Sequence, residues 1–202
     1  LLSATLAKTM GVPLGKLICA TNSNKILTDF FRTGRYDLRD RRLEKTASPA
    51  IDILVSSNLE RLLRSALNDE NRIRQLYSDL TTRKFFEISR AELEAIRSVG
   101  IESTWCSEET CGEIIRRVIR EHAYVLDPHT AVAVKAAREL RTPDRPTIVM
   151  STAHYSKFQD HVTKVDEHDA LLPEPHTRVL ECREKEVVHN VVLKPDLEEV
   201  IG

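Results

Sequence analysis

Three short clusters of hydroxyl and amide side chains could together bind an anion. They are ATNSN at residues 20–24, SSN at residues 56–58 and STAH at residues 151–154. Each follows or ends a short apolar segment predicted to be a buried strand, at residues 16–21, 51–55 and 147–153. In an open parallel sheet the carboxyl ends of the strands share one edge, and helix N-termini point there with free N–H groups. The sequence therefore predicts a pocket for a phosphate or carboxylate, the alternative being that each cluster only caps a helix.

Two further side chains could reach the same pocket. His154 is the last residue of the third cluster, and Lys157 lies one turn further along the chain. The alternative for each is a structural hydrogen bond or a place on the surface. No Ser–His–Asp arrangement, pair of carboxylates or phosphate-binding glycine loop is visible in the sequence, so triad hydrolysis and glycoside hydrolysis are not indicated.

Composition and charge narrow the class of protein. Of the 202 residues, 41% are apolar and 30% are charged, and the net charge is −1. These values are typical of a globular protein and give no overall field that attracts nucleic acid or an anionic membrane. Aromatic residues are too sparse for base stacking, and no apolar run is long enough to span a bilayer. Because the chain has no secretory signal and opens inside an amphipathic helix, we expect a cytoplasmic protein cut from a longer one.

The cysteines do not predict a metal site. Cys19, Cys106, Cys111 and Cys182 form no C-x-x-C pair, and no pair of histidines completes a zinc pattern. We therefore expect no bound metal and free, reduced thiols.

Local signals predict alternating strands and helices. Helices are expected at residues 2–10, 26–33, 57–67, 108–122, from 128 onward and from 155 onward. Their predicted starts include capping boxes at Ser57–Glu60 and Ser89–Glu92 and N-caps at Ser107 and Asp127. Besides the three strands named above, a strand is expected at 101–106, an edge strand at 184–193 and a solvated loop at 35–47. This alternation predicts an α/β protein with a mainly parallel sheet.

Changes in composition and pattern along the chain predict four parts. Residues 1–67 and 101–165 carry the strand–helix alternation, whereas residues 68–100 are densely charged with a helical period and read as a helical insertion. Residues 166–202 form a weaker C-terminal tail.

Four blocks of sequence together resemble one enzyme family. They are KLICATNSNKILTDFFRTGRY, SPAIDILVSSNLERLL, YVLDPHTAVAV and STAHYSKF, in this order and at this spacing. The chain resembles the C-terminal half of the longer, microbial and fungal type of threonine synthase. This resemblance implies a tryptophan-synthase-β-like fold that binds pyridoxal 5′-phosphate. It also implies a lyase reaction in which O-phosphohomoserine and water give threonine and phosphate.

The resemblance also implies roles for particular residues. Thr152, with Ser151 as second choice, would place a hydroxyl against the pyridine nitrogen of the cofactor. The residues expected to bind the substrate's phosphate or carboxylate are Asn22, Asn24, Ser56, Ser57, Asn58, Arg61, His154 and Lys157. Arg61 lies one turn into its helix, so a surface charge is the alternative for it.

Departures from the family pattern leave other functions open. Lys25 stands where the family has an acidic residue, and SPAIDI replaces SPSMDI. A drifted relative could instead be a phospho-lyase acting on phosphohydroxy amino acids. The Schiff-base lysine and the glycine-rich loop for the cofactor phosphate lie upstream in the family, so we expect no catalytic lysine here and no activity of this chain alone. A third possibility is a non-catalytic signalling or regulatory module, and the chain could pair with a missing N-terminal half or with itself.

Overall fold

The computed structural model describes residues 1–158 and 160–162. Its helices are α1 (Leu2–Thr9), α2 (Ile26–Thr33), α3 (Ser57–Leu67), α4 (Glu70–Arg83), α5 (Arg90–Ser98), α6 (Glu108–His122) and α7 (Pro128–Leu140). Its strands are β1 (Leu17–Thr21), β2 (Arg35–Asp37), β3 (Phe85–Glu87) and β4 (Ile101–Trp105), and 3-10 turns occur at Pro49–Ile51 and Tyr155–Phe158. These helix boundaries agree with most of the helices predicted from the sequence.

Two small sheets organise the described residues. β1 and β4 pair in parallel, with Leu17 opposite Ile101 and Thr21 opposite Trp105, and α2 and α7 pack against this pair. β2 and β3 pair antiparallel. The parallel pair brings the end of β1, where the first polar cluster begins, beside the end of β4.

An aromatic cluster forms the centre of the core. The rings of Tyr36 and Phe86 stack at 5.2 Å, and Phe30 meets each of them edge-on. All three side chains are buried, together with leucines and isoleucines from α2 to α5. Aromatic contacts of this kind add to the stabilisation that comes from the buried area.

Residues 68–100 do not consist of helix alone. They contain the strand β3, whose pairing with β2 lies next to the aromatic cluster. Buried side chains of α4 and α5, including Ile73, Leu76 and Ile96, belong to the same core cluster as Phe30 and Leu62. The segment predicted as a helical insertion therefore contains a strand as well as two helices, because β2 supplies a partner strand that the sequence pattern did not reveal. The division of the chain into four parts stays a prediction.

Three of the four predicted helix caps are confirmed. Asp127 accepts hydrogen bonds from the backbone of α7, and Ser107 accepts one from Thr110. Ser89 and Glu92 form both bonds of a capping box. The predicted capping box at Ser57 is wrong, because Ser57 is already inside α3 and the N-cap is Ser56, which makes no side-chain capping bond. The shift of one residue moves Glu60 away from the third helical position that a capping box requires.

Two predicted strands are wrong. Residues 51–55 form the end of a 3-10 turn and an irregular segment in which Val55 is 59% exposed, because Asp52 is turned inward to accept hydrogen bonds. Residues 147–153 form no strand, and Ile148 and Met150 are 79% and 72% exposed, without a partner strand among the described residues. Within the described chain the parallel sheet is thus reduced to β1 and β4. The predicted helix from 155 begins as a 3-10 turn, and the edge strand at 184–193 and the tail at 166–202 lie outside the described residues.

The Glu92 carboxylate should make the stability of the fold pH-dependent. Arg72 donates two hydrogen bonds to it, at 2.6 and 3.1 Å, and these chiefly hold the pKa of Glu92 at about 2, below its ordinary value of 4.5. The ionised form therefore stabilises the fold fully above pH 4.5, and this contribution, about 2 kcal/mol, is lost as the pH falls through about 2. Glu92→Gln should remove it, as measured by urea unfolding across this pH range.

The matched control is Glu94→Gln on the same helix. Glu94 pairs with Arg97 on the exposed surface, where an ion pair contributes little. Equal loss of the acid-dependent stability in both variants would contradict the assignment to Glu92.

Candidate functional site

The two asparagines of the first cluster hold the segment 44–52 in place. Asn22 is completely buried, and its side-chain N–H group donates to Asp52 at 2.7 Å and to Thr46 at 2.8 Å. Asn24 donates to the carbonyl of Glu44 at 2.8 Å and accepts from the backbone N–H of Glu44 at 2.9 Å. The amides of both residues are therefore already used within the protein.

The carboxylate of Asp52 is the common acceptor of this cluster. It accepts from the side chains of Asn22 and Asn24 and from both the hydroxyl and the backbone N–H of Thr46, at 2.7 to 3.0 Å. No ion pair to Asp52 occurs among the described residues. Its negative charge opposes a phosphate beside Asn22 or Asn24. The substrate-binding role of these asparagines stays a prediction, but their contacts favour a role in positioning segment 44–52.

The second cluster is positioned by a tyrosine. The hydroxyl of Tyr36 donates to the carbonyl of Leu54 at 2.7 Å and accepts from the backbone N–H of Ser56 at 3.1 Å. Burial raises the pKa of Tyr36, so the hydroxyl stays protonated and able to donate. Ser56 is buried, whereas Ser57, Asn58 and Arg61 are exposed.

The third cluster is joined to the start of α7 by a chain of hydrogen bonds. His129 accepts from the backbone N–H of Ala50 through Nε2, at 3.0 Å, so its proton is on Nδ1, 3.0 Å from Asp127. Asp127 also accepts from the hydroxyl of Thr130, which lies 3.1 Å from the hydroxyl of Ser151. Segment 48–50, the start of α7 and Ser151 are thereby held together.

The first and third clusters are therefore linked through segment 48–50. The hydroxyl of Ser48 accepts from Asn22 at 3.0 Å, and the backbone N–H of Ala50, two residues further on, is bonded to His129. Among the described residues, no hydrogen bond joins the second cluster to either of the others. The convergence of all three clusters on one pocket stays a prediction.

Thr152, His154 and Lys157 are exposed. The ring of His154 is hydrogen-bonded to the hydroxyl of Ser156 at 2.8 Å, and Thr152 has no hydrogen-bond partner in the described part of the chain. Lys25 lies over the ring of Trp105 at 4.7 Å.

The described residues fit one side of a pyridoxal phosphate site. Ser151 provides a hydroxyl held 3.1 Å from Thr130 in the first turn of α7. Thr152 provides a second, exposed hydroxyl next to it in the chain, and either is of a type suited to face a pyridine nitrogen. No lysine side chain is hydrogen-bonded to either of them in the described ranges. No group of three potential metal ligands occurs in residues 1–158 and 160–162.

Sequence reasoning missed Asp52, Tyr36 and His129 as organising residues. Asp52 lies in the block SPAIDI and His129 lies in the block DPHT, both of which carried the family resemblance. The sequence pattern predicted a strand position for Asp52 and a core position of a helix for His129. A short polar residue inside an apolar block was the available signal, because a buried polar group requires hydrogen-bond partners.

Replacing the Asp52 carboxylate should loosen segment 44–52. Asp52→Asn places a side-chain N–H group opposite the donors of Asn22, Asn24 and Thr46. This substitution should lower the free energy of unfolding by about 2–4 kcal/mol. Urea unfolding measures the loss. The control Asp40→Asn changes an exposed carboxylate in a turn and should have little effect. Similar losses in both variants would show that Asp52 does not organise this segment.

Removing one hydroxyl should free the second cluster from the core. Tyr36→Phe leaves the carbonyl of Leu54 and the N–H of Ser56 without their partner, at a cost of about 1–3 kcal/mol. Tyr124→Phe, at a side chain that is 56% exposed, is the control for loss of a hydroxyl. Amide exchange at Ser56 should accelerate only in Tyr36→Phe, and unchanged exchange there would contradict the assignment.

Known proteins match the chain in sequence and in fold. The family described as threonine synthase, C-terminal, matches residues 130–201. Threonine synthase-like 1 from Homo sapiens is 45% identical over 159 residues, which are 78% of this chain and 21% of that protein. Threonine synthase from Saccharomyces cerevisiae is 36% identical over 180 residues, which cover 80% of this chain and 35% of that protein.

A solved structure extends the similarity to the fold. Pyridoxal-phosphate-bound threonine synthase from Brucella melitensis aligns with a TM-score of 0.81 at 36% identity, over 89% of this chain and 38% of that chain. The predicted tryptophan-synthase-β-like α/β fold is thereby confirmed. The chain spans about a fifth of the length of the first relatives it matches, 21%, and about a third of the yeast enzyme, 35%. In sequence and in fold, the chain is therefore threonine synthase-like and is similar to the C-terminal part of these proteins.

Proposed function

We propose that this chain forms part of the cofactor and substrate site of a threonine synthase-like lyase that uses pyridoxal phosphate. The reaction would convert O-phosphohomoserine and water to threonine and phosphate, a step of threonine biosynthesis. The observation that supports this most is the TM-score of 0.81 and 36% identity to a threonine synthase with the cofactor bound. The substrate would be a small phosphorylated amino acid, and the partners would not include nucleic acid or a membrane.

Pyridoxal phosphate would supply the electron sink for such a reaction, while the protein orients the reacting groups. The residues of this chain that would face its pyridine nitrogen are Thr152 and Ser151. A neutral hydroxyl there would leave the nitrogen largely unprotonated, unlike an aspartate.

The hydrogen bonds of the two hydroxyls favour Thr152 as the donor. The carboxylate of Asp127 accepts from the hydroxyl of Thr130. The hydroxyl of Thr130 is also hydrogen-bonded to the hydroxyl of Ser151 at 3.1 Å, which holds Ser151 beside the start of α7. The hydroxyl of Thr152 has no partner in the described residues, so it can turn to a ring nitrogen without losing a hydrogen bond.

The similarity to threonine synthase-like 1 supports a second candidate. The identity to the human protein is 45%, against 36% for yeast threonine synthase, and Lys25 contacts Trp105 where the family has an acidic residue. This candidate is a phospho-lyase acting on phosphohydroxy amino acids. Product analysis of the full-length protein, with phosphohomoserine and phosphothreonine as alternative substrates, separates the two reactions.

A non-catalytic role is the third candidate. A signalling or regulatory module would dock through its surface, either to an N-terminal half or to a second copy. The exposed side chains of Ile148 and Met150 provide apolar surface for such contact. Light scattering tests self-association, and a monodisperse monomer would count against it. In residues 1–158 and 160–162, no helix has the length and apolarity to cross a membrane.

The chain alone should not bind pyridoxal phosphate covalently. The resemblance to threonine synthase implies that the catalytic lysine would be supplied by polypeptide outside residues 1–202, and no lysine of the described residues is hydrogen-bonded to Ser151 or Thr152. Mixing the purified chain with the cofactor should give no borohydride-reducible absorption band and no phosphate release from O-phosphohomoserine. A reducible band that disappears in Lys157→Arg would contradict this and would identify the lysine.

A further inference from the structure

Two cysteines at the beginning of α6 have no role in the site described above. Ser107 is the N-cap of this helix and accepts from the backbone N–H of Thr110 at 3.2 Å. Cys106 precedes the cap and Cys111 is the fourth residue of the helix, which are the two positions whose side chains meet in a hydrophobic staple. Cysteines thus occupy a place where two apolar side chains normally make contact.

The two thiols are buried against each other. Cys106 is 1% exposed and Cys111 is 2% exposed. The thiol of Cys106 donates to the carbonyl of Ser107 at 3.4 Å, and the neighbouring thiol is the largest influence on the pKa of each cysteine. The sulfur of Cys111 also lies 3.5 Å from the carbonyl of Pro128, the first residue of α7. None of the three described cysteines is in a disulfide.

The surroundings favour ionisation of one thiol of the pair. The pKa of Cys106 is lowered, first by the neighbouring thiol of Cys111 and also by the charge of Lys135, while the pKa of Cys111 is raised by the thiol of Cys106 and by burial. The N-terminus of α6 adds a partial positive charge beside Cys106. Cys19 is the contrasting case, because burial raises its pKa to about 11.

We propose that Cys106 and Cys111 form an oxidation site at which a hydroperoxide produces an intrachain disulfide. The sulfur of Cys106 attacks the peroxide oxygen, the O–O bond breaks, and a sulfenic acid and water form when hydrogen peroxide is the oxidant. The sulfur of Cys111 then displaces the sulfenic hydroxyl, which leaves as a second water with the thiol proton. In total, two thiols lose two electrons and two protons, and one peroxide gives two waters.

The disulfide would act on the start of α7. Forming the S–S bond removes the thiol proton of Cys111, and with it the bond to the carbonyl of Pro128. Pro128 is adjacent to Asp127 and His129, whose hydrogen bonds hold segment 48–50. Oxidation therefore changes a contact that supports the residues around Ser151, independently of whether the protein is a lyase.

The sequence makes the cross-link simple to detect. Trypsin cleaves after Arg97 and Arg116, so both cysteines fall in the single peptide 98–116, while Cys19 falls in the peptide 17–25. The folded chain is treated with hydrogen peroxide, denatured, alkylated with iodoacetamide and digested. We expect peptide 98–116 to carry no alkyl group and to be two hydrogen atoms lighter than the same peptide with two free thiols. We expect peptide 17–25 to be alkylated.

Single variants separate the pair from general oxidation. Cys19→Ser should leave the cross-link unchanged, whereas Cys111→Ser should stop the reaction at a sulfenic acid on Cys106 that dimedone traps. The cross-link is measured in the chain without substitutions, so this result holds even if a variant fails to fold. Retention of both alkylated cysteines in peptide 98–116 after peroxide treatment would overturn the proposal, as would disulfides to Cys19 or Cys182 in its place.

Discussion

The carboxylate of Asp52 is the acceptor on which the arrangement of segment 44–52 depends. A half-buried charge without an ion pair in the described chain must be satisfied by hydrogen-bond donors, and charge-assisted bonds of this kind are stronger than neutral ones. Asn22, Asn24 and Thr46 supply those donors. Because the donors come from the end of β1 and from the segment itself, a single group fixes the segment to the parallel strand pair.

The position of Asp52 has consequences beyond this segment. Fixing Asp52 also fixes the positions of Ser48 and Ala50 in the same segment. The backbone N–H of Ala50 then selects the tautomer of His129. The proton that remains on Nδ1 points to Asp127, which is also the cap of α7. Capping, tautomer selection and the orientation of Ser151 thus depend on one connected set of hydrogen bonds, in which removal of one member leaves others buried and unsatisfied.

Much of this fold could be predicted from the sequence because its helices begin with local signals. Ser89, Ser107 and Asp127 each bond to backbone groups two or three residues ahead, so a short window contains the whole interaction. Strands require a partner that a window does not contain. Residues 147–153 have the composition of a strand but no partner strand in the described chain. Residues 51–55 do not form a strand, because Asp52 accepts hydrogen bonds from donors 28 and 30 residues earlier.

The same distinction explains what the sequence could and could not say about the site. Asparagine, serine and threonine after a strand are suited both to bind a ligand and to hold the protein together, and their type does not decide between these roles. The decision depends on which of their polar groups are already satisfied. The side chains of Asn22 and Asn24 use both their N–H and their oxygen atoms internally. Thr152 retains a hydroxyl without a partner among the described residues. Since an exposed hydroxyl can exchange water for a ligand atom at little cost, whereas a buried amide must first break bonds to a carboxylate, the ligand-binding groups of this fold are expected among the less buried polar residues.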